Sequence, residues 1–301
     1  THAVSYEIEE VIPYIDWNPF FQTWELRGRY PNRGYPKIFN DESCGEEAKR
    51  LFDDAQKMLK EIVAEKKLTL KGVYAILPAN RTDDGEDVEV FADEARAAPT
   101  HKFCMLRQQA EGETSTYLSQ ADFVAPKGVK DYLGMFAVAC HGCDVHAAAY
   151  EAANDDYSKI LMQALADRLV EAVAEILHKD MRVAHWGYAA GESLTPEDML
   201  KVKYQGIRPA PGYPSQPDHT EKRTMWDVLR AQEPADTELS DSLSMMPASS
   251  VSALVFAHPQ ADYFAVGKIE KDQATSYAKR KGYEQEEMEK WLSPILNYDR
   301  E

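Results

Sequence analysis

Apolar residues at Ala48, Leu51, Phe52, Ala55, Leu59 and Ile62 recur at helical spacing, which predicts a helix over residues 44–66. A longer helix is predicted over 155–179, with Tyr157, Leu161, Leu165, Leu169, Ala172 and Ile176 on one face. Asn154 or Asp155 supplies its cap. Shorter helices are expected after Thr195, with Pro196 in the first helical position, and over 224–231, Lys271–Lys281 and 284–292. Gly282 ends the third of these. Strand patterns occupy 70–80 and 86–93, separated by the turn "RTDDG", then "ADFVAP" (121–126) and "DYLGMFAVAC" (131–140). Residues 250–259 and 262–270 read as an antiparallel pair about "HPQAD". Helices and strands do not alternate regularly and no linker-like stretch divides the chain. The expected fold class is therefore α+β, as one domain over 1–301.

The charge balance narrows the partners. With 51 acidic and 34 basic residues the net charge is −17, which disfavours nucleic acid and leaves a solvated acidic surface or a docking face for a basic partner. No apolar run is long enough for a membrane span, and the acidic start has no basic signal-peptide region. A chain that begins at Thr1 rather than Met reads as a processed product or a piece of a longer protein. Four cysteines in so long a chain point to a reducing, cytoplasmic compartment rather than a disulfide scaffold. Cys140 and Cys143 have CxxC spacing, but no second ligand pair exists for zinc. They end an apolar run instead of opening a helix, as a redox pair would, so they read as small residues at a strand end.

The usual chemical signatures are missing: GxGxxG, the GxxxxGK[ST] phosphate loop, GxSxG and HExxH do not occur. "DVHAAA" (144–149) matches the first half of DxHxxG, a cobalt-ligating loop, but Ala149 replaces its glycine. Residues 147–150 also read as the lead into a helix, which argues against ligation by His146.

The segment "YQGIRPAPGYPSQPDHTEK" (204–222) is different. Pro209, Pro211, Pro214 and Pro217 exclude a helix interior and a central strand, because proline has no backbone donor. Gly212 opens conformations closed to other residues and allows close approach of backbone to a ligand. Arg208 is a planar fork suited to a carboxylate or phosphate, and Tyr213 offers an aromatic face. Two readings fit: a stiff connector with Arg208 in a structural ion pair, or a preorganised loop for a small anionic or zwitterionic ligand.

Arg208 to Pro214 spell RxxxGYP, and this stretch resembles the signature of the C-terminal activation domain of cobalamin-dependent methionine synthase. "YIDWNPFFQTWEL", "DDGEDVEVFADE", "LRQQ", "DDYSKILMQALADRL", "YFAVGKIEKDQ" and "EKWLSPILNYD" resemble further blocks of that family, over nearly the whole chain. The resemblance implies a C-shaped α+β domain around a twisted, mainly antiparallel sheet. It implies binding of S-adenosylmethionine in a shallow groove, in support of reductive methylation of cob(II)alamin. The implied partners are the cobalamin module of the full enzyme and an electron donor, flavodoxin or methionine synthase reductase.

Carried over residue by residue, Asp16 holds the ligand's α-ammonium and Arg208 its carboxylate. Ala210, Gly212 and Tyr213 supply backbone contacts and an aromatic wall, and Tyr263 and Phe264 line the same site. Phe264 stands where some relatives have tyrosine, which removes one possible hydrogen bond. Glu171 is a further candidate, with Asp167 one turn earlier facing the cobalamin module and His219 at the loop's end beside the capping candidates Asp218 and Thr220. Cobalt belongs to another module, so no acid, base or nucleophile is expected here, and the chain alone is not a complete catalyst. The alternative is an interaction module that docks a reductase without productive ligand binding. A self-sufficient methyltransferase is a third reading, which predicts turnover of S-adenosylmethionine by this chain alone.

Overall fold

The computed structural model describes residues 1–28, 33–110 and 116–300. It opens with β1 (His2–Tyr6), a one-turn α1 (Ile8–Val11) and α2 (Trp17–Thr23). Then come α3 (Gly45–Glu65), β2 (Thr69–Arg81), β3 (Asp87–Phe91), β4 (Pro99–Cys104) and β5 (Tyr132–His141). Helices α4 (Cys143–Ala152), α5 (Asp156–Asp180), α6 (Pro196–Leu200) and α7 (Glu221–Leu229) follow. The chain closes with β6 (Glu238–Leu239), β7 (Met245–Met246), β8 (Ser250–Val255), α8 (Lys271–Lys281) and α9 (Gln285–Trp291).

Six strands form an open antiparallel sheet in the order β4-β3-β2-β5-β8, with β1 also on β2; β6 and β7 form a separate two-stranded ribbon. The fold is α+β. Strand β2 organises the sheet because its 13 residues are long enough to pair with β5 over one stretch and with β3 beyond it. Alternation along the strands sends side chains to two cores. Leu70, Phe136, Val138 and Val255 pack beneath α3 and α5, whereas Val73, Met135, Leu254 and Phe256 pack beneath Met225 and Leu229 of α7. A third cluster joins α8 and α9 to Cys104 and Leu106 at the end of β4.

The long helices form as patterned. Asp155 caps α5 by accepting from the Ser158 N–H at 3.0 Å, and Lys66 ends α3 in the left-handed conformation. Thr195 and Asp198 close a capping box around α6, and Gly282 ends α8 at φ 74°. Helix α7 starts at Glu221, three residues before its sequence pattern.

Two predicted strands are not strands. In "ADFVAP", Ser119 and Asp122 form a capping box that folds Gln120–Phe123 into a 3₁₀ turn. The buried Asn80 amide then satisfies the carbonyls of Ala125, Pro126 and Val129, so a side chain does the work of a strand ladder. Residues 262–270 do not pair with β8, because residues 207–209 already cover that edge. Ile207 and Phe256 exchange both backbone bonds, and Leu254 donates to the Pro209 carbonyl at 3.0 Å. The 262–270 segment instead bonds from Val266 to the Pro214 carbonyl and from Ile269 to the Ile295 carbonyl, each at 2.9 Å.

The cysteine pair also departs from expectation. Cys140 lies in β5, but Cys143 is the first residue of α4, after Gly142 at φ 97°. A Cβ on Gly142 would sit 2.3 Å from the Lys67 carbonyl oxygen, so the close approach of two chains dictates the glycine. Helix onset does not make a redox centre here. Burial pushes both thiols up, Cys143 to about 11, and neither is a thiolate at neutral pH.

Candidate functional site

The proline-rich segment runs as a ridge between the edge of β8 and residues 262–270. Its turn is held by Gly212 N–H donating to the Gln216 carbonyl at 2.7 Å and Gln216 N–H donating back to Tyr213 at 2.9 Å. Beside it opens a cavity of about 680 Å³, lined by Arg208, Pro209, Ala210, Tyr213, Tyr263 and Phe264, with Glu171 on its α5 side. Its far wall carries His219, Lys222, Met245 and residues 250–253 of β8. Tyr213 is 65 % exposed, a large aromatic residue left open at the rim.

A second, more polar cavity of about 300 Å³ holds Asp16 with Tyr14, Arg168 and Glu175. Glu171 and Arg208 line both cavities and stand between them. Asp16 caps α2: its Oδ1 accepts from the Asn18 backbone N–H at 2.9 Å and the Asn18 amide at 2.8 Å. Its Oδ2 accepts nothing from the described residues. Glu171 is pushed above the usual carboxylate range by desolvation, opposed by the charges of Arg168 and Arg208.

Arg208 is an ion-pair member. Its Nη2 meets Glu175 Oε2 at 2.6 Å and its Nη1 meets Oε1 at 3.2 Å, a two-pronged contact. Nη1 also reaches the Tyr204 hydroxyl at 2.8 Å and His178 Nδ1 at 3.1 Å. An arginine can only donate, so Nδ1 is the unprotonated nitrogen of His178. Burial, with the Arg208 and Arg182 charges, holds that imidazole well below its usual pKa. Among the described residues the Nε proton and one Nη2 proton of Arg208 have no partner. The Arg208 backbone N–H donates to Tyr263 OH at 2.8 Å, tying the ridge to the aromatic pair.

The description "Vitamin B12 dependent methionine synthase, activation domain" belongs to the family model that matches residues 7–282. The chain belongs to this family. It is also similar to a solved structure, the MetH reactivation domain bound to AdoHcy, at 47% identity and a TM-score of 0.95. The match covers 99% of this chain and 90% of that one.

In this activation domain the structure gathers Arg208, Ala210, Tyr213, Tyr263, Phe264 and Glu171 around the larger cavity, with Asp16 in the adjoining one. Gly212 faces neither. It lines a third cavity, about 370 Å³, that shares Tyr213, Pro214 and His219 with the first, and the space left by its missing side chain is filled by the His219 ring. Asp167 accepts from Ser249 Oγ at 2.6 Å and lines none of the three cavities. Asp218, not Thr220, supplies the side-chain bond at the start of α7, accepting from the Thr220 N–H at 2.8 Å. His146 lies within α4, and among the described residues no cluster of His, Cys, Asp or Glu is arranged for a metal ion.

Glu175, His178, Tyr204 and Lys222 join the site without having been singled out in the sequence. The available signal was a charge in the wrong place: Glu175 sits in the buried stripe of α5, and such a residue needs a partner.

Proposed function

We propose that this domain binds S-adenosylmethionine across the two adjoining cavities, with the nucleoside in the larger, mainly apolar one and the amino-acid end in the polar one. The observation that carries the reading is the shared wall of Arg208 and Glu171 between an aromatic, proline-lined space and an acidic one. S-adenosylmethionine has the same division, a flat base at one end and a charged amino acid at the other. Binding of AdoHcy, the demethylated form of this ligand, by the similar MetH domain supports the same assignment. In this reading Asp16 takes the α-ammonium through Oδ2, and the spare protons of Arg208 take the carboxylate. Tyr213, Tyr263 and Phe264 enclose the base and ribose.

The chemistry served is reductive methylation of cobalamin in methionine synthase. Cobalamin, held by another module, supplies the methyl acceptor, and a flavodoxin or reductase supplies the electron. The residues of this chain bind, orient and exclude water. The sulfonium methyl is already activated, so alignment of donor and acceptor is the main contribution required. Glu175 fixes the Arg208 side chain, and fixed geometry lowers the entropy lost on binding.

Calorimetry with S-adenosylmethionine and AdoHcy tests the reading. The unmodified chain should bind both, and Arg208→Ala should bind at least tenfold more weakly. Equal affinities would remove Arg208 from the site.

A further inference from the structure

Three serines stand close together where β8 begins, and they differ in one respect. Ser249 Oγ donates to Asp167 at 2.6 Å and Ser250 Oγ donates to the Pro247 carbonyl at 2.6 Å. Ser252 is 2 % exposed, and its Oγ has no hydrogen-bond partner. A buried hydroxyl left unpaired is unfavourable, and native structures hold few of them. Alternation along β8 puts Ser252 in line with the core residues Leu254 and Phe256, a position where an apolar side chain would pack at no such cost. Yet Ser252 is part of the wall of the 680 Å³ cavity.

The backbone at the same point is also open. The ridge covers the outer edge of β8 at Phe256 and Leu254, through Ile207 and Pro209. Ser252 is the next residue whose N–H and C=O face that edge, and the ridge makes no bond to it. Side chain and backbone pair therefore coincide at one place in the wall; the Oγ itself is covered from solvent, and a rotation about χ1 turns it towards something that enters the cavity.

We propose that Ser252 is a specificity-determining residue that reads a polar edge of the purine nucleoside, with its Oγ bonded to the base or ribose when the cavity is filled. The proposal rests on the reading of the cavity as the nucleoside half of an S-adenosylmethionine site. Ligand entry satisfies the orphaned hydroxyl, which explains a serine in a core stripe.

Ser252→Ala separates this role from a structural one. The variant should melt at the same temperature as the unmodified chain or higher, because an unpaired hydroxyl has been removed. Its affinity for AdoHcy and for 5′-methylthioadenosine should fall by the same factor, about 3–10 for one hydrogen bond. Asp16→Asn serves as the contrast, because Asp16 lines only the second cavity and Asn keeps the α2 cap: it should weaken AdoHcy but not methylthioadenosine, which has no amino-acid end. Unchanged affinity of Ser252→Ala for both ligands would overturn the proposal. So would a lower melting temperature, which would reveal a structural bond, or a loss confined to AdoHcy. If the unmodified chain binds neither ligand, the assignment of the cavity fails and this inference goes with it.

Discussion

A Cβ built on Gly212 would lie 2.1 Å from Cε1 of His219, well inside van der Waals contact. Gly212 has φ 100°, a conformation that strains any residue with a side chain. Two independent reasons thus keep glycine at the centre of RxxxGYP. Gly212→Ala should destabilise the domain by about 1–3 kcal/mol and distort the ridge that carries Tyr213. Urea unfolding checks the first effect. An unchanged midpoint would mean that the imidazole swings away freely and that the glycine serves something else.

That contact explains why part of the site could be read in the sequence and part could not. The proline spacing, Arg208 and Tyr213 are local features, and local chemistry gave the stiffness and, as one of two readings, a small anionic or zwitterionic ligand. Helices were equally legible: α5 has a sustained apolar face and the Asp155 cap, and α8 ends at Gly282. The partner of Gly212, however, depends on how residues 212 and 219 turn back on each other, and periodicity carries no such information. Residues 262–270 show the same limit. They have the composition of a strand, but whether they pair with β8 depends on whether another segment has already taken that edge. Glu175 lies 33 residues from Arg208, and only the fold brings them to 2.6 Å.

Glu175 holds the Arg208 fork in a largely buried pair, and losing one member of such a pair leaves the other charge uncompensated. Glu175→Ala should cost about 3 kcal/mol of stability. It should also weaken S-adenosylmethionine binding, although Glu175 need not touch the ligand, because Arg208 is no longer held in place. A variant of unchanged stability would show that water replaces the carboxylate at little cost.

Lys222 is a buried ammonium that donates to His219 Nδ1 at 3.1 Å and to the Leu243 carbonyl at 2.9 Å. Burial pulls its pKa down, and no carboxylate among the described residues offsets that cost. Burial chiefly, and then the Lys222 charge, depress the pKa of His219. Lys222→Met should therefore raise the His219 pKa, observable as a shifted imidazole titration by NMR. No change would show that burial alone sets the protonation state of this ring.

His178, beneath Arg208, gives a pH dependence whose sign is fixed by its burial. The folded chain holds the imidazole neutral, whereas the unfolded chain protonates it near pH 6.5. Below 6.5 the unfolded state binds a proton that the folded state refuses, so stability complete above 6.5 is lost as pH falls, by up to about 1.4 kcal/mol per pH unit. Glu221 works in the opposite direction. Burial raises it from 4.5 to about 7 against the pull of Lys281, so the stability it contributes is present below its unfolded value and lost as pH rises towards 7. The two effects overlap between pH 4.5 and 6.5, and a single stability curve does not separate them. His178→Asn does, because the amide keeps an acceptor for Arg208 Nη1 and removes the titrating ring. The unfolding free energy of the unmodified chain minus that of the variant should be flat above pH 6.5 and fall below it. A difference independent of pH between 5 and 7 would mean that His178 becomes charged inside the folded domain, beside two arginines, and that the cavity wall at Arg208 is far wetter than its packing indicates.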